Sequence, residues 1–305
     1  MLHLLRNMRS PIAIYSRVVL APRPARLCAR RYTSGAGATA YSIERTDEEY
    51  ARLQAQHDAV QRYMGGKLTP VPAEVLRTPR RILELGAGTG SWAAQAAREY
   101  PDAEVIAVDM SPLPSSFIPP TNFKFLQLDI TQGLPLEAAT FDVIHARFFL
   151  MHLPNPEMHI ARIHPLLAPG GYLIATDYDV RGDYALNTPI LAAVAGRLES
   201  LAPVKGLLPH FAAKVDGILR TTQAFDEITV KTVTVPCNPS LVSEPTLRVL
   251  TEGFRQSLVA ALPGWHDSKL VKPEERETFL REISQPGKDW YCEHDIVFTY
   301  SRKKQ

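Results

Sequence analysis

The chain has 305 residues, 45% of them hydrophobic and 22% charged, which fits one large globular domain with additions. It has no apolar run of the roughly 18 residues a transmembrane helix needs, and its three cysteines, Cys28, Cys237 and Cys292, are too few and too scattered for a disulfide framework or a zinc site. The net charge of +2 conceals an asymmetry, because the first 40 residues carry seven arginines and no acid, leaving 27 basic residues against 32 acids; this mildly acidic body argues against nucleic acid as a partner.

Residues 1–32 are arginine-rich and acid-free, the composition of a mitochondrial transit peptide or of a disordered basic arm. Arg30-Arg31-Tyr32 resembles a matrix-peptidase site, so the arm predicts the mitochondrial matrix, with the cytoplasm as the alternative. Residues 33–80 form an N-terminal helical segment. Thr46 is an N-cap ahead of Asp47, Glu48 and Glu49, the helix runs to about Met64, and Gly65-Gly66 ends it. From residue 81 to 305 short apolar runs alternate with helical patterns. Strands are expected at Arg81–Leu85, Glu104–Val108, Phe123–Leu128, Phe141–His145 and Gly171–Thr176, with helices at Ser91–Tyr100 and Pro156–Leu167. This rhythm predicts an α/β Rossmann-like, doubly wound and mostly parallel sheet. After Asp179 it breaks. Helices at 188–201, 211–222 and 244–262 flank strands at 227–235 and 296–301, which makes seven strands in all. The segments near 181–222 and 240–285 read as helical lid insertions.

The chemistry gathers at the strand ends. Gly86-x-Gly88-x-Gly90 lies directly between a strand and a helix, where glycines let the backbone approach a ligand and the helix start offers free N–H groups. This is not the Gly-x-Gly-x-x-Gly of dinucleotide sites, and Glu84 stands two residues upstream. A pyrophosphate disfavours that carboxylate, whereas the ammonium and sulfonium of S-adenosylmethionine favour it. Asp109, at the tip of the second strand and followed by Met110, is placed to accept from two ribose hydroxyls. Asp129, followed by Ile130 after the third strand, can accept from the adenine amine. Alone, each acid reads as a loop carboxylate or a helix cap; together, spaced 25 and 20 residues apart behind a glycine loop, they favour a cofactor site.

Residues 80–180 resemble the class I S-adenosylmethionine-dependent methyltransferases. Glu84-Leu85-Gly86-Ala87-Gly88-Thr89-Gly90 matches their first motif, Phe141-Asp142-Val143-Ile144-His145 the fourth strand, and Leu167-Ala168-Pro169-Gly170-Gly171 the turn before the fifth. Glu49, Arg52-Leu53, Gln56-His57, Gly88-Thr89-Gly90-Ser91-Trp92-Ala93, Pro119-Pro120-Thr121-Asn122-Phe123 and Ile144-His145-Ala146-Arg147 are similar to fungal secondary-metabolite methyltransferases and their regulatory relatives. The resemblance implies S-adenosylmethionine held by Glu84, Gly86, Gly88, Thr89, Gly90, Asp109, Met110, Asp129 and Ile130. Trp92 would wall the pocket, and His145 and Arg147 would reach the methionine end. It implies SN2 transfer to a small acceptor, with O-methylation favoured and a regulatory, catalytically idle protein as the alternative.

His152 and His145 are the candidate bases, and Asp177, Tyr178 and Asp179 follow the fifth strand on the ligand side. Leu191, Val194, Leu201, Leu207, Leu208, Phe211, Phe254 and Leu258 point to a hydrophobic acceptor if they do more than pack the lid. Amino-directed nucleic-acid enzymes carry Asn/Asp-Pro-Pro-Tyr/Phe after the fourth strand, where this chain has His145-Ala-Arg-Phe, and no cysteine stands there for cytosine C5 chemistry. Asp177, Asp179 and Asp183 are the only set that invites magnesium, and with histidine ending the fourth strand no metal is expected.

Overall fold

The computed structural model describes residues 45–76, 78–180, 189–267, 270–284 and 292–305. The basic arm at 1–32 and Asp183 lie outside them. In chain order the elements are α1 (Asp47–Tyr63), α2 (Ala73–Leu76), β1 (Arg81–Leu85), α3 (Ser91–Glu99), β2 (Glu104–Asp109), β3 (Phe123–Gln127), β4 (Phe141–Arg147) and α4 (Pro156–Ile163). Then come β5 (Leu167–Val180), α5 (Pro189–Leu201), α6 (Phe211–Thr221), β6 (Phe225–Pro236), α7 (Pro245–Asp267), α8 (Arg276–Ser284) and β7 (Glu293–Lys303). Thr46 caps α1 as expected, its hydroxyl accepting from the Glu49 amide at 3.2 Å. Among the described residues no helix is long and apolar enough to cross a membrane.

The seven strands form one sheet in the order β3-β2-β1-β4-β5-β7-β6. The first five are parallel; β7 runs antiparallel to both β5 and β6. The chain therefore reverses its winding between β1 and β4, the crevice where doubly wound sheets bind ligands. Alternation along β1 sends Leu83 and Leu85 into one core layer, with Phe141, Ile144, Phe211 and Val215, and Ile82 into the other, with Trp92, Ala93, Ala96 and Ala97. Glu84 shares the Ile82 side, the side of α3, and β1–β4 register sets it directly beside His145.

Several elements differ from the sequence reading, β5 and α6 most of all. The strand expected at Gly171–Thr176 extends to Leu167–Val180 and pairs with β7 as far as Val180↔His294, because the antiparallel partner continues the ladder beyond the apolar run. The helix expected in the lid at 211–222 instead packs on the sheet, with Phe211, Val215 and Leu219 buried in the main core. The cap over the crevice comes from α5, α7 and α8, whose Leu191, Val194, Leu258, Phe279 and Ile283 share a separate core. Helix α1 joins it through Ala59 and Val60, which pack with Leu250 and Phe254 of α7.

Candidate functional site

The glycine loop leaves β1 with three residues in the left-handed region: Gly86 (φ +75°), Gly88 (φ +55°) and Gly90 (φ +78°). At two of them glycine is required twice over. A Cβ at Gly86 would meet the Phe149 ring at 2.3 Å, and one at Gly90 would meet Phe117 at 2.8 Å. Asp109 fixes the loop from the next strand. Its Oδ2 accepts from the Gly88 amide and its Oδ1 from the Ser111 amide, both at 2.9 Å, and Arg45 lies 3.9 Å from Oδ2.

Glu84 lies beneath the start of α3, where its Oε2 accepts from the Ala93 amide at 3.0 Å. Burial raises its pKa to about 8, against the pull of Arg147 and that amide. Its Oε1 lies 3.7 Å from His145 Nδ1. The His145 ring stacks on Trp92 with centroids 3.6 Å apart and planes 4° from parallel, and Trp92 Nε1 donates to the Leu68 carbonyl at 2.9 Å. Arg147, one turn of the pleat beyond, has Nη2 2.7 Å from His57 Nδ1 on α1. Burial lowers Arg147 to about 10 and, with the adjacent guanidinium, His57 to about 3, so the pair is an arginine cation on a neutral imidazole.

One cavity of about 490 Å³ opens at this crevice. Glu84, Gly86, Gly88, Thr89, Trp92, Asp109, Met110 and Arg147 form one end; Phe148, Met151, His152, Tyr178, Leu198, Leu207, Leu208, Phe211, Leu258 and His294 form the other. Helix α1 roofs it with Arg52, Leu53, Gln56 and His57, joined by Arg45 just ahead of the helix, and Arg52 Nη1 donates to the Ser257 hydroxyl of α7 at 2.8 Å. His152 is lowered to about 4 by burial and by Arg45 and Arg52. Phe148, at φ +52°, is a bulky side chain in a region such residues avoid. It is held there edge-on to Tyr178 and Phe254 at the turn that aims Arg147 and His152.

The structure places several of the expected site residues away from the cavity wall. His145 does not line the cavity: it is 2% exposed behind Trp92, its Nδ1 without a hydrogen-bond partner, so it supports the wall and is not placed as a base. Gly90 turns the loop without lining the cavity. Asp129 and Ile130 also lie outside the lining; Asp129 Oδ1 caps a short 3₁₀ turn through the Thr131 amide at 2.9 Å, and its buried Oδ2 has no partner. Asp177 lies off the cavity wall and accepts from Phe149 N at 3.0 Å, whereas Tyr178 and Asp179 line the cavity on the ligand side as expected, Asp179 accepting from Ala212 N and Ala213 N at 3.1 and 2.8 Å. Of the apolar candidates, Leu207, Leu208, Phe211 and Leu258 line the cavity, Leu191 and Val194 pack the cap core, Phe254 backs the aromatic cluster and Leu201 is 38% exposed. Sequence reasoning gave no role to His210 or His294, which reach the cavity only through tertiary contacts. It also judged the cysteines too scattered, whereas β6–β7 pairing brings Cys237 and Cys292 together beside His294.

A family model described as a methyltransferase domain matches residues 55–213. Methyltransferase str2 of Strobilurus tenacellus is 36% identical over 271 residues, 87% of this chain and 96% of that protein. Str3 of the same organism is 34% identical over 89% of this chain and 99% of its own length. The secondary metabolism regulator laeA of Coprinopsis cinerea is 30% identical over 49% of this chain and 38% of its own. Among solved structures, a Haemonchus contortus phosphoethanolamine N-methyltransferase 2 with S-adenosylmethionine aligns at TM-score 0.45 and 19% identity, over 83% of this chain and about half, 53%, of that one. A match over more than half the chain, with two relatives aligned almost end to end, places the glycine loop, its two acids and the crevice in one family: the chain belongs to the class I S-adenosylmethionine-dependent methyltransferases.

Proposed function

We propose that this enzyme methylates an oxygen of a small, hydrophobic and acidic acceptor, held in the half of the cavity farther from the glycine loop. The cofactor fits the near half. Gly86, with no room for a Cβ, and Gly88 leave bare backbone there, and Glu84 and Asp109 reach the same wall. Glu84 would hold the cationic methionine end, and Asp109 the ribose. Bound there, S-adenosylmethionine supplies an electrophilic methyl group.

The observation that carries the oxygen assignment is the pair of guanidiniums beside His152. Arg45 and Arg52, both partnered by Glu49, line the cavity and act on His152, whose pKa of about 4 keeps the imidazole neutral at physiological pH. Such surroundings favour an oxyanion and disfavour an ammonium. A weakly basic ring nitrogen on His152 matches an enol or carboxylic acid better than an amine, which would enter already protonated. Phe148, Met151, Leu207 and Leu258 exclude water from the acceptor.

The test is transfer of labelled methyl from S-adenosylmethionine to fractionated fungal metabolite extract, with calorimetric binding of the cofactor measured alongside. An ester or ether product, reduced in Asp109→Ala at limiting cofactor and slowed in His152→Gln, supports the proposal. An N-methyl product overturns the oxygen assignment. Cofactor binding without transfer to any fraction supports a regulatory protein instead.

A further inference from the structure

On the far side of the cavity from the glycine loop, Cys237, Cys292 and His294 point their ligand atoms at one another. All three are buried, and the two Sγ atoms and a ring nitrogen lie within 4.8 Å of one another. The arrangement is a consequence of register. Pro236 pairs with Glu293, so Cys237 falls opposite Cys292, and the Cys237 amide donates to the Cys292 carbonyl at 2.7 Å. His294 lies two residues past Cys292, on the same side of β7, and its Nδ1 is 2.8 Å from Cys237 Sγ. Two thiols and an imidazole in otherwise apolar surroundings are a soft-donor set, which selects zinc over magnesium or calcium.

We propose that Cys237, Cys292 and His294 bind a zinc ion. Zinc–sulfur bonds of about 2.3 Å and zinc–nitrogen bonds of about 2.0 Å set tetrahedral ligand edges of roughly 3.5–3.8 Å, within about 1 Å of the spacing present. Three protein ligands leave one coordination position for water or another donor. The ion would tie the end of the β6–β7 hairpin to the cap, because Cys237 and Cys292 share their core with Leu191, Val194, Phe279 and Ile283. It would also fix the ring of His294, which lines the acceptor end of the cavity and packs edge-on to Tyr178. The thiols themselves are not part of the cavity lining, so the site is distinct from the cofactor site.

The experiment uses the full chain, purified under reducing conditions without chelator. Elemental analysis is expected to find one zinc per chain, and cobalt exchanged for zinc should give thiolate-to-cobalt charge-transfer absorption. Cys292→Ser and Cys237→Ser should each weaken zinc binding about 100-fold or more against a chelating dye, while S-adenosylmethionine still binds Cys292→Ser with wild-type affinity. Calorimetry on that variant separates loss of metal from loss of fold; if neither variant folds, the wild-type zinc content and cobalt spectrum decide. Wild-type protein that neither retains nor takes up zinc overturns the proposal, as does zinc that persists in the double cysteine variant or a Cys237–Cys292 disulfide in the reduced preparation.

Discussion

Asp109 grips the loop it serves: both carboxylate oxygens already accept backbone amides, from Gly88 and Ser111. Losing the carboxylate therefore frees the loop and removes the proposed ribose acceptor together. Asp109→Ala should weaken S-adenosylmethionine binding by about 1.5–3 kcal/mol, roughly 10- to 100-fold, by calorimetry. Gly86 fails differently. In Gly86→Ala a left-handed backbone conformation and a 2.3 Å approach to Phe149 act together, and a loss of about 2–4 kcal/mol in denaturant unfolding is expected. Adding Phe149→Ala should restore the steric part and leave the backbone part; no recovery at all would show that φ alone governs. Glu84, Gly86, Gly88 and Asp109 were legible because a strand, a glycine turn and the next strand's tip are local in sequence. His57 and His294 were not, since their meetings with Arg147 and Cys237 span 90 and 57 residues. His145 misled because a histidine at a strand end reads alike whether it faces the ligand or the back of a tryptophan.

The cap is joined by a few specific contacts between helices. Arg197 of α5 makes a two-pronged pair with Glu275, both contacts 2.6 Å, and donates to the Leu270 carbonyl at 2.7 Å. This paired geometry is worth more than an ordinary surface ion pair, on the order of 1 kcal/mol. Arg197→Ala should speed proteolysis between α7 and α8 and raise KM for the acceptor, with S-adenosylmethionine affinity unchanged within about twofold. A matching loss of cofactor affinity would mean that the cap also governs the near half. The parallel strands were legible from their apolar runs, but β5 and β7 ran longer than those runs because ladder pairing continues past them. Helix α6 was assigned to the lid by its place after Asp179, although its Phe211, Val215 and Leu219 stripe follows the spacing of a core-facing helix.

The whole molecule holds neutral groups that would titrate if it unfolded. His57, His152 and His294 have folded pKa values near 3, 4 and 4, and His145 also lies well below its ordinary value. The unfolded chain therefore binds more protons below about pH 6.5, and stability rises with pH from about 4 to 6.5. Glu84, raised to about 8, has the opposite sign: the folded state holds its proton longer, so stability falls from the ordinary carboxylate range until pH passes about 8, and Asp177 adds to the fall. Burial lowers His159 and His164 as well and raises Asp179 and Glu282, so six histidines oppose four acids below pH 6.5, and the raised acids act in the destabilising sense above it. Thermal unfolding of the cofactor-free protein should peak near pH 6.5, and Glu84→Gln should flatten the alkaline limb. A curve still rising at pH 8 would contradict the buried, protonated Glu84.

Most of the cavity also divides in the order of the gene. Gly86 to Thr89, Asp109 and Met110 come before residue 111, whereas Phe148, Met151, His152, Tyr178, Leu198, Leu258 and His294 all come after residue 147; Arg45 and Arg52 cross this order. Inheritance can therefore alter the two ends separately: recombination or drift downstream of β4 changes which metabolite is capped and leaves the shared methyl donor in place. Lineages built on this plan have a short route to new chemotypes, and a graft of residues 148–305 from a relative should carry much of the relative's acceptor preference with it.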